Sequence, residues 1–391
     1  MKRYGRITGW GKAVPDRILT NHDLEQMVDT SDEWIVTRTG IRERHIAGPG
    51  ETTATMSVEA CQKALAHAGV GSEEVDLIIV ATSTPDYLCP PVSSMVQDQL
   101  GATRAAAFTL VAGCTGFVYG LVTASQFIET GLYEKVLVVG VETLSPGVDW
   151  TDRTTCVIFG DGGAAVLLEA SDQPTGILSC ELGSEGKDWN ALIYPGGGCA
   201  KPFSEEVLRN RENYLRMDGR RVFKFAARTM TDSVTNVVKA SGLTWDEIEL
   251  IIPHQANARI IELAARRLGV PMEKVMVNID RYGNTSAASI PLALCEAVEE
   301  GRLESGDHVV FVGFGAGLTW AAAVLHWQPE EVAEEAIRAE DWPLPASLFR
   351  PVTQVRNAVW STQVAARARL QDAAMAAMAP INAWQRRLRG E

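Results

Sequence analysis

The feature that most restricts what this 391-residue chain can fold into is that it contains itself twice. Gly69 to Ile79, GVGSEEVDLII, matches Gly242 to Ile252, GLTWDEIELII, without a gap at a spacing of 173; at the same spacing VLVVG from 136 falls on VVFVG from 309. Two further pairs keep the order, GCTGF at 113 with GNTSA at 283 and FGDGGAAVLL at 159 with FGAGLTWAAAVL at 314. Four ordered matches point to a duplicated unit. Each half carries a helical pattern, a buried strand, a second helix and hydrophobic strands, as at 55–68, 76–82, 115–130 and 136–142. Short runs rich in Val and Ile suit strands covered on both faces, hence a duplicated α/β core with helices on both sides of mixed sheets. The division expected is an N-terminal half over 1–172, a C-terminal half over 173–328 and an extension over 329–391 that matches neither.

Composition narrows the function. Apolar residues at 46% against 22% charged are an ordinary soluble balance. The apolar runs fall short of the roughly 18 residues of a membrane span, and MKRYGRITGW lacks a secretory h-region, so a cytoplasmic protein is expected. Seven cysteines with no CxxC pair indicate neither a disulfide framework nor a zinc site. A formal charge of −13 disfavours nucleic acid as a partner, and an acidic partner would need a local basic patch.

Within FTLVAGCTGFVYG, Cys114 follows an apolar strand in a glycine turn and precedes a helix beginning near Thr115. A helix N-terminus offers unpaired N–H groups and the positive end of the macrodipole, both of which favour a thiolate. Core packing is the alternative for any free cysteine. In IIPHQANARIIELAARRLG, His254 stands at the end of a strand and before a helix starting near Asn257. His22, His45, His67, His308 and His326 lie in helical, loop or edge contexts, so His254 is the candidate at a strand C-terminal end. In RYGNTSAAS, Asn284 takes the repeat position of Cys114; it is either a helix cap or, if the halves pack about a pseudo-two-fold axis, a third member of one site. Thr30 with Glu33 spells a capping box and Gly40 a terminator, predicting a helix from about 31 to 39 on which Trp34 and Arg38 share a face. That pair suits a base and a phosphate, or is a plain surface cation–π contact.

With TSDEWIVTRTGIRERHI, GCTGF, IFGDG, PHQANxRI and GNTSAAS in this order, the chain resembles the β-ketoacyl-acyl-carrier-protein synthase III family over roughly residues 3 to 327. The resemblance implies the thiolase fold, a duplicated five-layered αβαβα core, and a homodimer. It implies a decarboxylating Claisen condensation of an acyl-CoA primer with malonyl-acyl carrier protein, initiating fatty-acid synthesis, with no metal and with acyl-CoA as substrate rather than cofactor. Cys114 maps to the nucleophile, His254 and Asn284 to the two hydrogen-bond donors, and the backbone N–H groups of Cys114 and Ala316 to the oxyanion site. Trp34 and Arg153 would sandwich the CoA adenine, Arg38 would meet its phosphates, and Phe223 and Asn257 match positions near the pantetheine arm. Lys224, Arg259, Arg266 and Arg267 offer a basic cluster for the acidic carrier protein; the alternative is a solvated charged face.

Departures from the family pattern are Gly113 where many members have Ala, Ala316 where some have Gly, and Cys89 where some place a bulky aromatic in the primer pocket. Elongating condensing enzymes use a second His where this chain has Asn284, and hydroxymethylglutaryl-CoA synthases use a catalytic Glu for which no motif is seen. A related condensing enzyme or acyltransferase of a polyketide or secondary pathway is the alternative, and a non-catalytic scaffold the minor one. In the extension, seven Arg against one Asp from Arg350 to Gly390 and an apolar stripe through Val352, Val355, Val359 and Leu370 predict two helices, the second basic and amphipathic. Docking on the body or on a dimer partner is the expectation for it, and contact with the carrier protein or a lipid surface the lesser one.

Overall fold

Strand β1 (Tyr4–Ala13) is followed by α1 (Asp32–Thr39), α2 (Thr53–Ala68), β2 (Leu77–Ala81), α3 (Val92–Leu100), β3 (Ala106–Leu110), α4 (Gly116–Glu129), β4 (Lys135–Glu142) and β5 (Gly162–Ser171). The chain continues through β6 (Gly176–Ser184), α5 (Gly219–Ser241), β7 (Leu250–Pro253), α6 (Ala258–Leu268), α7 (Ser289–Glu299), β8 (His308–Gly315) and β9 (Thr319–His326). These elements come from a computed structural model that describes residues 2–329. The two helices expected in the extension lie outside the described residues.

Two mixed sheets organise the fold, one in the order β1-β5-β4-β2-β3 and one in the order β7-β8-β9-β6. Strand β2 runs parallel to β3 and β4, and β7 parallel to β8, while β4–β5 and β8–β9 are antiparallel pairs. All strands of the first sheet lie between residues 4 and 171 and all of the second between 176 and 326.

Why the strands read as unbroken apolar runs follows from the layers. In β2, Leu77 and Ile79 pack with Phe117 and Leu121 of α4 and with Ile290 and Leu294 of α7. The alternate residues Ile78 and Val80 pack outward against Ala60 and Leu65 of α2 and Val96 of α3. Strand alternation thus buries both faces. The second sheet repeats the arrangement, with Val309 and Phe311 facing the central helices and Val310 and Val312 facing Phe225 and Met230 of α5 and Ile260 of α6. Helices α4 and α7 are sheathed by sheets on both sides, which is why GFVYGLVTASQFIE and SIPLALCEAVE are apolar around most of their circumference. Five layers result, αβαβα, as the fold expectation requires.

Two local expectations are corrected. Helix α1 starts at Asp32 with Ser31 as its cap, the Ser31 hydroxyl accepting from the Trp34 N–H; Thr30, expected to cap it, has a buried hydroxyl with no partner. Gly40 ends the helix at φ +81 as expected. The second correction concerns the repeat register. The short turn Gly113–Thr115 leads into α4, and Ser286–Ala288 leads into α7, with Gly113 at φ +56 and Ser286 at φ +50. The backbone therefore keeps the spacing of 173, and the counterpart of Cys114 is Ala287 rather than Asn284. Letter similarity between GCTGF and GNTSA had shifted the alignment by three residues.

Candidate active site

Each turn leads directly into a central helix, and the two turns pack against each other across the halves. The first turn needs glycine at 113. A Cβ there would lie 2.8 Å from the Ala316 nitrogen, and φ +56 disfavours any side chain. Close approach of the two backbones brings the N–H groups of Cys114 and Ala316 onto the Cys114 sulfur. Among the described residues the non-glycine positions with positive φ are Arg211 and Ser286, so Ala316 adopts a backbone that an L-residue accepts.

The thiol is not a standing thiolate, contrary to what the helix start suggested. Burial pushes its pKa up to about 12, with the nearby Glu142 carboxylate adding to the rise, while the neighbouring Ser286 side chain and the two backbone N–H groups pull the other way. Desolvation of a buried anion outweighs the helix terminus.

His254 directly follows β7, its N–H donating to the Val312 carbonyl at 2.7 Å. Its Nδ1 lies 2.6 Å from the Ser289 hydroxyl, which also accepts from the Gln255 N–H. With the Ser289 hydroxyl donating to Nδ1, the ring proton sits on Nε2, the tautomer that lets His254 donate on its other side. Burial depresses the imidazole pKa to about 3, so the ring is a neutral donor. Asn284 is fixed by its backbone to the first half, N–H to the Ile158 carbonyl at 2.9 Å and carbonyl from the Gly160 N–H at 3.1 Å. Its Oδ1 accepts from the Ser286 N–H at 2.8 Å, which caps the turn before α7 and leaves the Nδ2 protons for the cavity.

A cavity of about 210 Å³ is lined by Cys114, His254 and Asn284 together. Phe223, Asn257 and Phe314 also line it, so five of the positions singled out in the sequence meet here. Cys89 does not; it is exposed and absent from this lining, and a single chain gives it no place beside Cys114.

Arg38 and Arg153 both approach the Trp34 ring, with guanidinium carbons 5.5 and 4.9 Å from its centroid, and Arg153 is steadied by the Asp29 carbonyl at 2.6 Å. A base entering between Arg153 and Trp34 would displace the guanidinium outward. Asn257 caps α6 and donates to the Arg38 carbonyl at 3.0 Å, linking this cluster to the cavity. Lys224, Arg259 and Arg266 are exposed on α5 and α6; Arg267 is exposed but donates to the Ala227 carbonyl at 2.9 Å.

Sequence reasoning missed three residues. Ser286 and Ser289 stand in RYGNTSAAS, where a serine before a helix carries no sign of the partner its hydroxyl meets in the fold. Glu142 closes the apolar strand KVLVVGVE, and a carboxylate at the end of a strand buried on both faces was the available signal.

Residues 108–186 match the model of 3-oxoacyl-[acyl-carrier-protein] synthase III, and residues 238–327 match that of its C-terminal part. The chain is 52% identical over 327 residues to a beta-ketoacyl-[acyl-carrier-protein] synthase III of Roseiflexus sp. (strain RS-1), covering 84% of this chain and 99% of that protein. Among solved structures, 3-oxoacyl-[acyl-carrier-protein] synthase III from Aquifex aeolicus is 45% identical with a TM-score of 0.77, covering 83% of this chain and 100% of that one. The priming β-ketosynthase of the R1128 polyketide pathway is 36% identical with a TM-score of 0.78, over 84% and 97%. With half of all positions shared along nearly the whole length of its relatives, this chain belongs to the 3-oxoacyl-[acyl-carrier-protein] synthase III family.

Proposed function

We infer that the chain condenses an acyl-CoA primer with malonyl-acyl carrier protein to a 3-oxoacyl product, the step that initiates fatty-acid synthesis. The observation that carries this reading is the single cavity walled by Cys114, His254 and Asn284. Cys114 attacks the primer thioester and expels CoA, leaving an acyl-enzyme. The N–H groups of Cys114 and Ala316 hold the oxyanion of that step. Malonyl-acyl carrier protein then loses carbon dioxide, and the enolate oxygen that forms takes hydrogen bonds from His254 Nε2 and Asn284 Nδ2. Both donors are neutral, so the anion gains stabilisation only as it develops. The carbanion attacks the acyl-Cys114 carbonyl and releases the product. None of these steps calls for a metal, and acyl-CoA enters as substrate.

Trp34, Arg38 and Arg153 form the reading's site for the CoA nucleotide, with Phe223 and Asn257 along the way to Cys114. Lys224, Arg259, Arg266 and Arg267 form its carrier-protein surface. A homodimer is part of the same proposal: β3 is an edge strand, and Val111, Tyr87 and Leu88 nearby are exposed apolar residues. Cys89 would then belong to a primer-pocket wall that a partner completes. No helix among the described residues is long and apolar enough to cross a membrane, and cytoplasmic residence goes with the proposed pathway. Likeness to a priming polyketide ketosynthase keeps a secondary pathway as the second reading.

The test is a panel of acyl-CoAs with malonyl-acyl carrier protein, followed by mass spectrometry. A 3-oxoacyl-carrier product with matching carbon dioxide release is expected. Acyl transfer without decarboxylation for every primer would contradict it.

A further inference from the structure

Glu142 lies at the end of β4 and is fully buried. Its carboxylate is held by four residues: Thr82 Oγ1 at 3.2 Å, the Ser83 N–H at 3.1 Å to both oxygens, Thr84 Oγ1 at 2.6 Å and Ser286 Oγ at 3.0 Å. All are neutral donors. The last of them stands in the turn that packs against the turn of Cys114, and it acts on the Cys114 thiol. Ser286 is held at φ +50, a conformation that costs a non-glycine residue energy and that the surrounding structure must impose. Two buried acids are thus joined through one hydroxyl.

We propose that Ser286 and Glu142 are the relay that takes the proton from Cys114: as the sulfur attacks, its proton passes to Ser286 Oγ and the Ser286 proton passes to Glu142 Oε1. This rests on Cys114 being the acyl acceptor. The physical reason is charge. Cys114 as thiol with Glu142 ionised, and Cys114 as thiolate with Glu142 protonated, bury the same single negative charge. Attack through the relay never requires the site to hold two. His254 is poorly suited to the task, because its Nδ1 is occupied by Ser289 and burial opposes a charged ring.

The proton inventory closes over the cycle. In the first half, the Cys114 S–C bond forms, the CoA S–C bond breaks, and the departing CoA thiolate takes a proton from solvent. In the second, the malonyl carboxyl leaves as carbon dioxide, the new C–C bond forms, and the Cys114 S–C bond breaks. The released sulfur then recovers its proton from Glu142 through Ser286. Net uptake is one solvent proton, which ends on CoA. Glu142 acts through Ser286, which makes it a positioning and proton-holding residue.

The groups that face Glu142 are Thr82, Ser83 and Thr84 from the segment after β2, Ser286 from the turn before α7 and Cys114 from the turn before α4. Tyr194 also feels it, its phenol pushed up by burial and then by the charges of Glu142 and Asp161. Burial lifts the Glu142 pKa to about 7, against the downward pull of its hydrogen bonds.

Single-turnover acylation by an acyl-CoA, followed by rapid quench and mass spectrometry from about pH 5.5 to 9, tests the relay. Wild-type enzyme should rise to a plateau near neutrality as Glu142 ionises. Glu142→Gln should lose the plateau, its rate climbing in proportion to hydroxide, and should be slower at neutral pH by about 10²-fold, the lower end of general-base effects. Ser286→Ala, which keeps the other donors to Glu142 and places its Cβ where serine has one, should lose the same plateau, and it stands alone should Glu142→Gln not fold. The infrared difference spectrum of acylated minus free enzyme should show a protonated carboxyl band that Glu142→Gln lacks. Wild-type rate and profile in Ser286→Ala would overturn the relay. So would faster acylation in Glu142→Gln, the result expected if Glu142 merely repels the thiolate. Wild-type enzyme that is never acylated at Cys114 overturns the underlying reading, and is told apart by that control.

Discussion

Replacing Asn284 separates two roles that the structure combines in one side chain. Its Oδ1 anchors the Ser286 N–H at 2.8 Å, and its Nδ2 is left for the enolate. Asn284→Ala removes both. Asn284→Asp keeps the acceptor for Ser286 and, when ionised, puts negative charge where the enolate develops. Loss of one preorganised oxyanion donor costs about 10²–10³ in rate, or about 2.7–4 kcal/mol. Loss of the anchoring bond costs only about 1 kcal/mol of stability. The account therefore expects carbon dioxide release from malonyl-acyl carrier protein to fall at least 10²-fold in both variants, while acylation of Cys114 persists, most clearly in Asn284→Asp. The site is buried, which makes a carboxyl there hard to ionise, so Asn284→Asp should regain activity as pH falls and its protonated form donates. Carbon dioxide release and Cys114 acylation are measured separately on each protein. Near-normal decarboxylation by Asn284→Asp above neutral pH would refute the donor role and reduce Asn284 to a turn cap.

Three further outcomes follow from the same geometry. A Cβ on Gly315 would lie 2.5 Å from the Cys114 nitrogen, so Gly315→Ala should lower stability by about 1–3 kcal/mol in a melting experiment and abolish acylation. Trp34→Ala should raise KM for acyl-CoA roughly 2- to 30-fold, the loss of about 0.5–2 kcal/mol of ring contact, yet leave KM for an acyl-pantetheine lacking the nucleotide unchanged. Glu142 has a pKa near 7 in the fold against an ordinary 4.5, so the folded state holds the extra proton between those values and stability falls as pH rises through them. Glu142→Gln lacks that titration and should gain roughly 3 kcal/mol relative to wild type between about pH 4.5 and pH 7, read from paired denaturation curves.

Much of this fold was legible because its cause is local and repeated. Strands buried on both faces must be apolar throughout, and helices in a central layer must be apolar nearly all round, so β2, β4, α4 and α7 announce themselves. Cys114 and His254 were legible for a related reason: each stands where an apolar strand ends and a helix follows, a place the pattern marks. Asn284 was found through a letter match that the backbone does not keep, since Ala287 is the true counterpart of Cys114. Its assignment to the site rested on the resemblance. Electrostatics was the least legible part. A helix start suggested an ionised thiol, but burial is a property of the packed fold and reverses that expectation. The surroundings of Glu142 were illegible for the same reason, because its partners Thr82, Ser83, Thr84 and Ser286 come from segments 58 to 144 residues away. Cys89, assigned by position alone, lies outside the cavity of a single chain.

The central claim is that Cys114 carries the acyl group, and locating that group tests it most directly. The full chain is incubated with an acyl-CoA, quenched, digested and searched by mass spectrometry for the acyl adduct on each of its seven cysteines. The account predicts one thioester, on Cys114, and none on the exposed Cys89, Cys180 and Cys199. An adduct on any other cysteine with Cys114 unmodified, or no adduct with any primer, would contradict it.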